Sequence, residues 1–83
     1  GQDRDAVASY TVALGLRPTT APAYFHRGLV ALRQRDWALA HHDFSRVLDL
    51  EPNNAEACIN RALALTGQKK RAEALADLNR ALE

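Results

Sequence analysis

One cysteine, no methionine, four glycines and three prolines leave this 83-residue chain with few structural devices beyond regular elements and side-chain packing. A single cysteine excludes an internal disulfide. No apolar run approaches the roughly 20 residues that a membrane-spanning helix requires, and no stretch resembles a signal peptide. Charge of one sign is also missing. The 11 basic and 10 acidic residues give net charges of 0, 0 and +1 over residues 1–20, 21–54 and 55–83. A nucleic-acid binder shows a basic patch or stripe, so DNA and RNA are not expected as partners. Glycine-rich phosphate loops and zinc-type cysteine and histidine spacings are absent. These absences concern this stretch of polypeptide alone, and cytosolic residence is their default reading.

What the chain does have is a period of 34 residues. Laying Ala21–Asn54 over Ala55–Glu83 gives ten identities in 29 ungapped pairs: Ala21/Ala55, Ala23/Ala57, Arg27/Arg61, Leu29/Leu63, Gln34/Gln68, Ala38/Ala72, Ala40/Ala74, Asp43/Asp77, Arg46/Arg80 and Leu48/Leu82. The same shift brings Ala6 onto Ala40, Tyr10 onto Phe44, Leu14 onto Leu48 and Pro18 onto Pro52. Residues 1–20 are then the second half of one repeat, 21–54 a complete repeat and 55–83 most of a third. A chain that begins inside a repeat and has no methionine is expected to be a segment of a longer protein.

Each unit reads as two amphipathic helices. Leu-Arg-Pro-Thr-Thr at 16–20 and Leu-Glu-Pro-Asn-Asn at 50–54 end helices, because the residue before proline is pushed out of the α region and proline cannot donate the next hydrogen bond. Thr20 and Asn54 follow where an N-cap is wanted. This predicts helices at about 3–15, 21–34, 37–50, 55–68 and 71–82. In the second helix of each unit, Ala40, Phe44 and Val47 fall at i, i+4 and i+7 and form one stripe, echoed by Ala6, Tyr10, Ala13 and by Ala74, Leu78, Ala81. Burial is expected for Ala40, Phe44, Ala74 and Leu78.

The period, the aromatic-then-glycine pair Tyr24 and Gly28, the small/large series of the second helices and the closing Pro52 together resemble the tetratricopeptide repeat. The resemblance covers essentially the whole chain. It implies an all-α, right-handed solenoid of antiparallel helical hairpins, five helices in all, acting as a protein-interaction module. Two departures stand out: Arg27 and Arg61 where the simplest pattern has leucine, and Cys58 where it has an aromatic. Cys58 leaves less bulk between the third pair of helices.

In that family the concave groove is lined by first-helix positions, which here are Pro22, Phe25, His26, Leu29, Leu32 and Arg33, then Glu56, Ile59, Asn60, Leu63, Thr66 and Gly67. Independently of the family, Tyr24, Gly28 and Ala31 already supply one packing stripe, so Phe25, Leu29 and Leu32 form a second apolar stripe beside it. Such a stripe either packs against neighbouring helices or offers a peptide groove. The candidate partner-binding residues are Phe25, His26, Leu29, Leu32, Arg33, Ile59, Asn60 and Leu63. The family's carboxylate clamp for chaperone tails is missing: with the complete repeat taken as its first unit, Phe25 and Leu29 stand where lysine and asparagine are needed.

Catalytic constellations fail on geometry. His41, His42 and Asp43 are adjacent on one helix, point about 100° apart and cannot converge on one ion. Asp43 with Arg46 and Asp77 with Arg80 read as i, i+3 surface ion pairs. Arg27 and Arg61 read as structural, with stems along the hairpin and guanidiniums reaching a preceding carbonyl or carboxylate. Trp37 is expected to wedge the hairpin, and Lys69-Lys70-Arg71 to be a solvated loop. No cofactor, metal or enzymatic activity is expected of this segment. Its expected role is to present a groove to a peptide or helix of a partner protein. The alternatives are a docking arm of a larger enzyme, or a spacer that associates with itself through the uncapped helices at 3–15 and 71–82.

Overall fold

Proline and asparagine stop and restart the helices close to where the residue pattern puts them. The computed structural model describes residues 2–16 and 20–82, which form α1 (Gln2–Leu16), α2 (Ala21–Arg33), α3 (Trp37–Leu50), α4 (Ala55–Gly67) and α5 (Arg71–Leu82). The helix stop expected at Pro18 falls on residues 17–19, which lie outside the described residues. After α3 the chain leaves the helix at Glu51, whose φ of −134° and ψ of 78° lie outside the α region that the following Pro52 disfavours. Asn54 then caps α4, its Oδ1 accepting from the Ala57 amide at 3.0 Å. Thr20 occupies the corresponding place before α2 but makes no side-chain cap bond, leaving Pro22 in the first turn to suit an entry without one. Asp36, which the pattern did not single out, caps α3 by accepting from the Leu39 amide at 3.2 Å.

The turns inside the hairpins are copies of each other. Arg35 and Lys69, 34 positions apart, both adopt the left-handed region, with φ of 59° and 63°. The amide after each closes back on the helix, Asp36 N–H to Ala31 at 2.9 Å and Lys70 N–H to Leu65 at 2.8 Å. This is a Schellman ending built without glycine.

Each helix packs on its chain neighbours, and the first helices α2 and α4 also touch. Of the 15 buried hydrophobic residues among those described, seven are alanine, which lets helix axes approach closely. Large residues meet small ones. Phe44 is completely buried with its ring against Gly28, where an added Cβ would fall 2.8 Å from Cζ, and with the edge of Phe25 at 5.5 Å. Removing that ring would cost about 3–5 kcal/mol. Trp37, at the start of α3, lays its indole over Gly67 at the end of α4, so it also joins two repeats. Ala40 and Ala74 are buried as expected, but Leu78 is 41% exposed. Phe44 has its counterpart helix on one side and α4 beyond it, whereas no described helix follows α5.

Candidate partner-binding groove

The first helices are held in register by a buried polar staple that recurs with the repeat. Arg27 of α2 donates from Nε and Nη2 to the two carboxylate oxygens of Asp43 on α3, both at 2.7 Å, and from Nη1 to Thr11 Oγ1 on α1 at 3.2 Å. Arg61 of α4 repeats this with Asp77 on α5, again 2.7 Å twice, and with Ser45 Oγ on α3 at 3.3 Å. Each guanidinium therefore ties a first helix to the second helix of its own hairpin and to that of the preceding one. Thr11 is oriented for this role because its hydroxyl donates to the Val7 carbonyl at 2.7 Å, leaving a lone pair for Arg27. The carboxylate bonds hold both guanidiniums charged above their usual pKa against the opposing effect of burial.

These contacts correct two expectations. Asp43 and Asp77 do not pair with Arg46 and Arg80 along the helix surface: both carboxylates point inward and are buried. Arg46 instead donates to Asp49 at 3.3 Å and lies 5.7 Å over the Tyr24 ring, while Arg80 donates to the Pro52 carbonyl at 2.8 Å. The structural role expected of Arg27 and Arg61 holds, with the partner carboxylate 16 residues after each arginine rather than before it. Thr11 and Ser45 were not singled out by the residue pattern. Their recurrence at 34 residues with a hydroxyl at both places was the available signal.

The staples leave the other face of α2 and α4 to the candidate groove. Phe25, Leu29 and Leu32 are half-buried against the core, so the second apolar stripe of α2 serves packing in part. On α4, Ile59 is 44% and Leu63 54% exposed, four residues apart on one face. His26 is fastened more firmly than an isolated surface residue, its ring stacked on Tyr10 at 5.9 Å and edge-on to Phe25 at 6.2 Å. Arg33 is exposed in the last turn of α2, and Asn60 is half-buried on α4. At the N-terminal ends of the two helices a pocket of about 230 Å³ is lined by Pro22, Phe25, His26, Glu51, Asn54 and Glu56. Its walls combine an aromatic edge with two carboxylates.

Elsewhere the chemistry is sparse. His42 Nδ1 lies 3.1 Å from Asp43 Oδ1, but that carboxylate is already committed to Arg27, and Asp43 is not the solvated residue the sequence suggested. His41 is pushed below its ordinary pKa, first by burial and then by Arg61 and Lys70. Among the described residues no three histidine, cysteine or acidic side chains are grouped to hold a metal, and no helix is long and apolar enough to cross a membrane.

Comparison with known proteins agrees with this architecture. The tetratricopeptide repeat family matches residues 25–83. Human sperm-associated antigen 1 is 35% identical over 82 residues, which are 99% of this chain and 9% of that protein. Human tetratricopeptide repeat protein 13 is 32% identical over the full 83 residues, 10% of its length, and the Arabidopsis thaliana E3 ubiquitin-protein ligase CHIP is 28% identical over 78 residues, 28% of its length. The chain thus spans a small part of each relative. A crystal structure of MamA protein superposes with a TM-score of 0.91 at 25% identity, over 96% of this chain and 44% of that one.

Proposed function

The chain belongs to the tetratricopeptide repeat family, and from that premise we propose that it holds a polypeptide segment of a partner protein against α2 and α4, without catalysis of its own. Repeats of this family generally mediate protein–protein interaction. The observation that carries the finer reading is the exposure of Ile59 and Leu63 beside the half-buried Phe25 and Leu29 on two touching first helices. Leucine and isoleucine side chains open to this degree on one helix face are the kind of patch that marks an interaction site. The acidic pocket of Glu51 and Glu56 at the end of the groove favours a segment that carries a lysine or arginine next to its apolar anchor. His26, Arg33 and Asn60 supply the polar flank, and Leu32 the packed base of the stripe. The repeat boundaries at 20/21 and 54/55 follow the same reading.

The test is substitution with a measure of folding alongside. Phe25→Ser or Leu29→Ser should weaken a partner peptide selected on the wild-type chain by at least tenfold, more than 1 kcal/mol. Because both side chains are half-buried, Leu63→Ser serves as the variant least able to disturb the core. His41→Ser and His42→Ser should leave binding unchanged, and loss of binding from the histidine pair alone would overturn the assignment of faces. A second reading, the docking arm of a larger enzyme, is favoured by the likeness to a ubiquitin-protein ligase. The sequence flanking these residues separates the two.

A further inference from the structure

The second hairpin has cysteine where the first has tyrosine, and a cleft lies beside it. In the first hairpin Tyr24 is 7% exposed, with the guanidinium carbons of Arg27 and Arg46 at 6.0 and 5.7 Å from its ring centroid. Moving 34 residues along, both arginines are retained as Arg61 and Arg80, but the ring becomes Cys58, and the fully buried Val47 becomes Ala81. Both changes remove bulk from the same place. The result is a cleft of about 380 Å³ lined by Pro52, Asn53, Ala55, Cys58, Arg80 and Ala81. Arg80 is exposed and held at its edge by the hydrogen bond from Nη2 to the Pro52 carbonyl. One N–H in use leaves the flat faces of the guanidinium open for stacking.

We propose that this cleft receives one aromatic side chain of a partner polypeptide, its ring lying under Arg80 and above the buried Cys58, as the Tyr24 ring lies under Arg46. The chemistry that selects the ring is the pairing of the Ala55 and Ala81 side chains with a guanidinium face, which favours a π-system over an aliphatic group of equal size. This surface lies between α4 and α5 and is separate from the groove on α2 and α4, so neither proposal depends on the other.

The experiment titrates the ¹⁵N-labelled 83-residue chain with p-cresol, the side chain of tyrosine, and with 4-methylcyclohexanol, its non-aromatic counterpart. Expected are shifts at Ala55, Cys58, Ala81 and the Arg80 Nε, with p-cresol bound about two- to fivefold more tightly, the equivalent of an exposed cation–π contact. Cys58→Tyr should fill the cleft from within, abolish those shifts and raise the melting temperature. Arg80→Leu changes an exposed residue, keeps the test independent of how Cys58→Tyr folds, and should bring the two ligands to equal affinity. Absence of shifts at these positions, equal binding of both compounds to the wild type, or shifts that survive a folded Cys58→Tyr variant would each overturn the proposal. So would a concentration-dependent dimer dispersed by p-cresol, because the ring would then come from a second copy.

Discussion

A carboxylate as enclosed as that of Asp43 is tolerable only when its oxygens are bonded, and Arg27 bonds both. Removing one member leaves the other buried without its partner, so Arg27→Met should destabilise the chain by about 3–5 kcal/mol. A domain of this size has about 4–12 kcal/mol in total. The double variant Arg27→Met with Asp43→Leu should recover most of the loss, because two apolar residues can fill that space without desolvating charge. Urea titration of the four proteins in the cycle measures this, and additive losses would contradict the paired role. The Arg61 and Asp77 pair is more open to solvent, with side chains 18% and 10% exposed, and its cycle should be shallower. His41 adds a pH dependence. Its folded pKa lies below the unfolded value, so the unfolded state binds the proton first and stability falls as pH drops from about 6.5. His41→Gln should flatten the decline in melting temperature between pH 7 and 5, and an unchanged pH profile would remove His41 as its source.

At the scale of the element, the helix limits were legible because their causes are local. Pro52 and Asn54 fix the end of α3 and the start of α4 whatever packs around them. The staples were not legible in the same way. Asp43 and Arg46 recur together three residues apart, and so do Asp77 and Arg80, which suggests a pair within one helix. The spacing of 16 from Arg27 to Asp43 recurs equally, but reading it as a contact requires knowing how two helices of a hairpin face each other. Leu78 was misplaced for a related reason: its position in the stripe is that of Phe44, yet cover depends on what lies across from it. The second apolar stripe of Phe25, Leu29 and Leu32 was legible with both packing and a groove left open, and its packing against the core depends on which helices lie across from it. The hairpin turns carry a further expectation. Arg35 and Lys69 hold a left-handed conformation that costs a side chain about 1–2 kcal/mol relative to glycine. Arg35→Gly and Lys69→Gly should each raise stability, by about 1 kcal/mol or less after the entropy glycine adds to the unfolded chain. A lowered melting temperature in both would mean that the arginine and lysine side chains contribute more than the strain removes.

At the scale of the molecule, apolar surface is unevenly distributed. The outer helices carry Val12 at 65% and Leu16 at 80% exposure on α1, and Leu75 at 59% and Leu82 at 85% on α5. Tyr10 is half-covered by its stacking on His26, so the stripe of α1 is less open than its composition suggests, while Ala13 is exposed. The two ends present different surfaces, and contact between them would run head to tail. Sedimentation velocity over a concentration series should show a weight-average mass that rises with concentration and falls again for Leu16→Glu or Leu82→Glu. A constant monomer mass would remove self-association as a role.

The groove is the central claim, and its most direct test is a residue-level map of binding. A peptide selected by display against the 83-residue chain would be titrated into ¹⁵N-labelled protein. The largest amide shifts should fall on α2 and α4 at Phe25, Leu29, Ile59, Asn60 and Leu63, and Leu63→Asp should weaken binding at least tenfold while circular dichroism stays unchanged. Shifts confined to α3 around His41 and His42, with Leu63→Asp binding as well as the wild type, would contradict it.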